Sequence, residues 1–246
     1  MAAWKNNDKM KLDKTDDPVY RLHTFGIDPQ SNHIFLTPDP EAAFMAEGVE
    51  PGVDFAMASR FMINARICMM TNPDSGLVVH MKTCGGEFGE GMAIFDMLLM
   101  YPHETTILNY THARSMSSMI FQAATKRVMM PNSHFMFHDG SIADEGNLKT
   151  VRSGFEFYDK IGGVMLDIYA WRMKQRGKFK SWSLERIKKM LRDEMDKKDD
   201  VYLTAKETID WGLADSIFDG DWSALTEYTD DQRQHGADYA SHFLPA

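Results

Sequence analysis

A hydroxyl attacks a carbonyl readily only when a base takes its proton, a third group holds that base, and N–H donors meet the developing oxyanion. Three segments carry residue types for parts of this chemistry. Ala113-Arg114-Ser115-Met116-Ser117-Ser118 lies where a strand pattern gives way to a helical one, which places Ser115 in the positive potential of a helix N-terminus. Serine is also a preferred N-cap, so capping is the ordinary role of a residue there. In Pro131-Asn132-Ser133-His134-Phe135-Met136-Phe137-His138 the two histidines share one side of a strand, because their separation is even. An imidazole has a pKa suited to a base. Thr83-Cys84-Gly85-Gly86 joins a strand to a helix, and its paired glycines let the backbone turn amides outward, although Gly-Gly at a strand end is more often simply a turn. From the residues alone His112, His134 and His138 are rival bases.

These segments depend on elements that the hydrophobic periods outline. His33-Ile34-Phe35-Leu36 and Leu77-Val78-Val79-His80-Met81 are short apolar runs fit for buried strands. Between them Phe55, Ala58, Met62, Ala65 and Met69 recur at helical spacing. A helix with Phe88, Met92, Phe95 and Leu99 on one face follows, then a strand around Thr106–Tyr110 and a second helix from about Ser115 to Lys126. Strands at Arg127–Met130 and His134–His138 are separated by turn residues. Such alternation predicts an α/β fold with right-handed crossovers and a mainly parallel sheet. From Asn147 to Arg176, Val151, Phe155, Tyr158, Met165 and Ile168 keep one apolar stripe over nearly twice an average helix, with a kink expected at Gly162-Gly163. This helix either projects toward another subunit or is a long core helix. A helix from Thr204 to Trp211 and a strand over Leu213–Ile217 end the pattern.

The 246 residues are enough for one generous α/β domain with its own core. Apolar content of 43% and charged content of 26% exclude wholesale disorder. A net charge of −9 argues against nucleic acid as a main partner. The charged start lacks a secretory apolar block, and no run approaches the roughly 18 apolar residues of a membrane span, so the expectation is a cytoplasmic chain with no membrane partner. Two cysteines, Cys68 and Cys84, are too few for a disulfide framework, and no ligand spacing suggests zinc; no metal and no cofactor are expected. The 20 methionines suit adaptable core and interface packing.

The order of the motifs adds to this. Gly85-Gly86, then Gly91-Met92-Ala93-Ile94-Phe95-Asp96, then Ala113-Arg114-Ser115-Met116, then Met130-Pro131-Asn132-Ser133 through Met136 to His138 resembles the proteolytic subunit of the Clp protease, the ClpP family. That family reads S-P-G-G, G-M-x-I-Y-D, A-S-M-G and L-P-N-S-x-x-M-x-H. Ile34-Phe35-Leu36-Thr37 is similar to its early I-F-L strand, and Tyr202-Leu203-Thr204-Ala205 through Trp211-Gly212-Leu213-Ala214-Asp215 to its ending. The resemblance covers about residues 30–220 and implies a ClpP/crotonase-like fold with a projecting handle helix. It divides the chain into a divergent N-terminal arm and axial region over 1–30, a serine peptidase domain over 31–220, and a flexible tail over 221–246.

Carried over by motif, Ser115 matches the nucleophile, His138 the general base, Asp200 the acid with Asp199 as fallback, and the N–H groups of Gly85 and Met116 the oxyanion hole. The implied enzyme is a serine endopeptidase acting on unfolded polypeptides, which add as a strand beside Gly85-Gly86. Its implied partners are copies of itself in heptameric rings, stacked as a tetradecamer through the long helix, and an AAA+ unfoldase such as ClpX or ClpA that uses the ATP. Departures stand at Cys84 for Pro, Ser117 for Gly, Thr111 for Gly, and Arg114 for a small residue. The competing readings are a non-catalytic ring subunit and a crotonase-like acyl-CoA enzyme. A signal-peptide peptidase relative would need a Ser-Lys pair and an anchor that are not apparent.

Overall fold

Val78, Val79, His80 and Met81 are buried on both faces of their strand, which is why this run reads as continuously apolar rather than alternating. In the computed structural model, which describes residues 17–38, 50–140 and 145–244, it forms part of β3 (Leu77–Thr83). Its neighbours are the parallel strands β2 (His33–Leu36) and β4 (Thr105–Arg114). β1 (Ile27–Asp28) runs antiparallel to β2 on the outer side, and β5 (Lys126–Met129) and β8 (Ser216–Ile217) continue the sheet beyond β4. Among the described residues eight strands form one mixed, mostly parallel sheet, in agreement with the expected α/β class.

β4 extends further than its apolar run, and its length creates the site. Thr106–Asn109 pair with β5, whereas His112–Arg114 pair with β6 (His134–Phe137), so one strand serves two neighbours in succession. β7 (Val201–Thr204) then joins β6 antiparallel. The crossovers are α2 (Phe55–Thr71), capped by Asp54 accepting from Met57 N at 2.8 Å, α3 (Phe88–Leu99) and α4 (Met116–Ala123), after α1 (Pro18–Phe25) at the start of the described chain. They bury the main core against one sheet face, with Phe61, Phe95, Ile107, Phe121 and Phe135 inside it. Val78, Leu108, Val128 and Leu225 make a smaller cluster on the other face.

α5 (Leu148–Gln175) runs unbroken through Gly162 and Gly163. Its buried residues begin at Met165, so the first half, with Leu148, Phe155 and Phe157 exposed, extends off the core. α6 (Leu184–Lys198) and α7 (Ala205–Trp211) follow.

Three expectations change. The predicted stripe of α2 is turned: Met57, Ala58, Phe61, Ala65 and Cys68 are buried and Phe55 is exposed, because a helix apolar on several sides does not specify one face. The flexible tail expected over 221–246 is replaced by a 3₁₀ turn (Ser223–Thr226) and α8 (Asp230–Phe243). A capping box between Thr229 and Gln232 starts α8, and buried Tyr239 holds it, donating to Ile168 O at 3.1 Å. Of the expected N-terminal arm, residues 1–16 lie outside the described residues, while 18–28 form α1 and β1.

Candidate active site

β4 ends at Arg114 and α4 begins at Met116, so Ser115 makes the turn by itself, at φ +50° and ψ −128°. For a non-glycine residue such a conformation costs roughly 1–3 kcal/mol and persists only where the surroundings fix it. Here Ser115 N–H donates to Met136 O on β6 at 3.1 Å, and Ser115 O accepts from Ser118 N at 2.9 Å and Ser118 Oγ at 2.6 Å. Ser118 Oγ in turn meets the buried hydroxyl of Tyr169, on α5, at 2.6 Å. The turn takes the Ser115 side chain away from the capping role: it makes no cap bond, and Oγ lies 2.9 Å from His138 Nε2.

β6 and β7 place the other two groups. Phe137 pairs with Val201 in the antiparallel ladder, so the residue after β6 and the residue before β7 face each other. These are His138 and Asp200, with Nδ1 3.1 Å from Oδ1. The Tyr202 hydroxyl, two residues on, donates to the other carboxylate oxygen at 3.3 Å. With Nδ1–H donating to Asp200, the Nε2 lone pair faces the Ser115 hydroxyl. The Asp200 side chain is 43% exposed and that of His138 23%, so water reaches the outer end of this line. Asp199 instead closes α6, its N–H donating to Met195 O at 2.8 Å and its φ at +61°.

Gly85 has φ +104°, and a methyl group there would lie 2.7 Å from both Ser115 Cβ and Arg114 O, and 3.1 Å from Met116 N. Only glycine fits, and the backbones of Gly85 and Met116 adjoin beside Ser115. Behind the serine, every residue of α4 is buried. Fully buried Arg172 donates to Gln122 O at 2.5 and 2.9 Å and to Ala124 O at 2.8 Å, holding the C-terminal carbonyls of α4. Arg127 donates to the Gln122 side chain at 2.8 Å and pairs with buried Asp215 at 2.8 Å.

A model of the Clp protease family matches residues 49–221. The chain belongs to the Clp protease family. The ATP-dependent Clp protease proteolytic subunit of Deinococcus radiodurans is 27% identical over 169 residues, 68% of this chain and 76% of that protein. The Clp protease match spans Gly85, Ser115, His138 and Asp200, and leaves β2 and α8 outside it.

The rival histidines are engaged elsewhere. The His112 and His134 rings lie 5.5 Å apart on neighbouring strands, and burial lowers both pKa values. Of the departures from the family pattern, Ser117 is buried and its Oγ has no hydrogen-bond partner among the described residues. Burial pushes the Cys84 thiol up, and Cys68 is buried. Sequence reasoning missed Tyr202 as a partner of Asp200, although an i, i+2 spacing at a strand puts both on one side. It also missed the Ser118–Tyr169 support, for which no local signal exists. Among the described residues no group of His, Cys, Asp and Glu is arranged to hold a metal, and no helix is long and apolar enough to cross a membrane.

Proposed function

We propose that this member of the Clp protease family is a serine endopeptidase that hydrolyses peptide bonds of unfolded proteins or peptides. The observation that carries the reading is the unbroken line from Asp200 Oδ1 through His138 to Ser115 Oγ, with contacts of 3.1 and 2.9 Å. His138 Nε2 takes the hydroxyl proton as Oγ bonds to the peptide carbonyl carbon, while Asp200 holds the tautomer and stabilises the imidazolium. The amides of Gly85 and Met116 receive the oxyanion; one such donor is worth on the order of 3 kcal/mol in the transition state. The imidazolium gives its proton to the departing amine as the C–N bond breaks. Water, deprotonated by the same imidazole, then releases the acyl group and restores Ser115.

The same reading assigns the chain to a self-assembled chamber of stacked heptameric rings, fed by an AAA+ unfoldase that spends the ATP. The exposed Leu148 and Phe155, seven residues apart and so on one side of α5, support assembly, since apolar side chains aligned on a projecting helix face are commonly buried against a partner.

A fluorophosphonate tests the chemistry: Oγ bonds to phosphorus and fluoride leaves only where the serine is activated. Intact mass should show one adduct per chain, absent from Ser115→Ala. No adduct on the folded, assembled protein overturns the peptidase reading in favour of a structural subunit.

A further inference from the structure

The oxyanion segment is held from the side opposite Ser115 by a stretch that follows Glu50. Val53 N–H donates to Gly85 O, Glu87 N–H donates to Val53 O at 2.8 Å, and Val53 and Gly86 form a parallel bridge. The fit is close, since a methyl group at Gly52 would come within 2.6 Å of Gly85 O. Gly85 therefore lies between Val53 on one flank and Arg114–Met116 on the other, with little free space on either.

Glu50 anchors this stretch to both strands that carry the reacting groups. Its carboxylate lies 3.6 Å from Lys82 on β3, and 2.9 Å from His112 and 3.9 Å from Arg114 on β4. Its carbonyl accepts from Cys84 Sγ at 3.4 Å. Thr83 and Ala113 are paired, so Lys82 projects from β3 on the same side as His112 and Arg114 project from β4. Lys82 stands three residues before Gly85, and Arg114 immediately before Ser115. Without the acid between them, two cations would face each other across the strand ends.

Simple stabilisation does not account for this arrangement. At 2.9 Å the His112 contact is close but off line, and Glu50 Oε1 is buried with no aligned donor among the described residues. A quarter of the Glu50 side chain stays exposed, but a buried carboxylate oxygen without a directed bond is costly. What the charge adds is a side-chain link across the ends of β3 and β4, beside the backbone pairing of Thr83 with Ala113.

On the peptidase reading above, we propose that Glu50 is a positioning residue that sets the distance between the Gly85 amide and Ser115 by clasping Lys82, His112 and Arg114. It touches neither substrate nor reacting atoms, and acts through the two strand ends and the Val53 stretch.

The test compares the parent chain with Glu50→Gln, Glu50→Asp and Glu50→Ala. Each is titrated for active sites with a fluorophosphonate and then assayed on a fluorogenic peptide. Displacing an oxyanion donor by a fraction of an ångström should lower kcat per titrated site by about 10- to 100-fold in Glu50→Gln, with KM within about twofold. The phosphonylation rate should fall in parallel, and Glu50→Asp, which keeps the charge, should recover part of the loss. A purely structural role would reduce the number of titrated sites while leaving kcat per site unchanged. If Glu50→Ala fails to fold, the nearly isosteric Glu50→Gln decides. A Glu50→Gln protein with kcat per site within about threefold of the parent overturns the role of Glu50 alone. A parent chain that takes no fluorophosphonate overturns the peptidase reading and this role together.

Discussion

Replacing Asp200 by Asn keeps the size of the side chain and removes its charge, which isolates what the carboxylate does for His138. The charges of Asp200 and of a protonated His138 are about 4 Å apart, and an effective dielectric of about 20 gives ~4 kcal/mol of attraction. With the Asp200 side chain 43% exposed, solvent screening reduces this to about 2 kcal/mol, or about 30-fold in rate. The amide also presents an N–H where the carboxylate accepted one, turning the imidazole toward the wrong tautomer. For a buried triad this substitution costs about 10⁴-fold in kcat. For Asp200→Asn we therefore expect a loss of about 30- to 1,000-fold in kcat/KM on a fluorogenic peptide, with Ser115 phosphonylation slowed in parallel. Asp199→Asn is the matched control: the residue closes α6 through its backbone N–H, the substitution keeps the size of the side chain, and its rate should stay within about twofold of the parent. If Asp199→Asn is the more damaging change, or Asp200→Asn lies within about threefold of the parent, the assignment of the acid is wrong.

Gly85→Ala places a methyl group 2.7 Å from Ser115 Cβ and adds backbone strain at φ +104°, so peptidase activity should be lost together with roughly 1–3 kcal/mol of stability, read by denaturant unfolding. Asp215→Asn leaves the buried Arg127 without its counter-charge and should cost about 3–5 kcal/mol by the same measurement. Burial alone would raise the Asp215 pKa, but the Arg127 guanidinium and its hydrogen bonds override this and hold the carboxyl below its ordinary 3.8. Its contribution is therefore complete above that value and is lost as pH falls through the lower folded-state value. Thermal scans should show the parent losing this stability only in that acid range, and Asp215→Asn lacking that part of the acid dependence.

The strand–helix alternation was legible because the central strands are buried on both faces and α3 keeps one stripe; Phe88–Leu99 is helical over the range its periodicity indicates. Ser115 was legible only as a helix start. Its positive φ is enforced by Met136 and, through Ser118, by Tyr169, which lies 51 residues beyond Ser118, contacts that no local pattern encodes. His138 and Asp200 share a site because β6 and β7 pair with Phe137 opposite Val201, so their meeting follows from register rather than spacing. From the residues alone three histidines stood equal, and motif order singled out His138. α8 escaped notice because its apolar residues are sparse; what holds it is Tyr239, packed under an arginine.

That last contact makes the order of synthesis matter. The Arg172 guanidinium carbon sits 3.6 Å from the centre of the Tyr239 ring, while its nitrogens grip the carbonyls that close the serine-bearing helix. The ring that covers this arginine belongs to α8, which follows all three groups of the candidate site in the chain. A nascent chain already contains Ser115, His138 and Asp200 before Tyr239 can dock, and until it docks the grip on α4 is open to water. The serine-bearing helix is thus fully steadied only after Tyr239, which lies later in the sequence than all three groups, has docked.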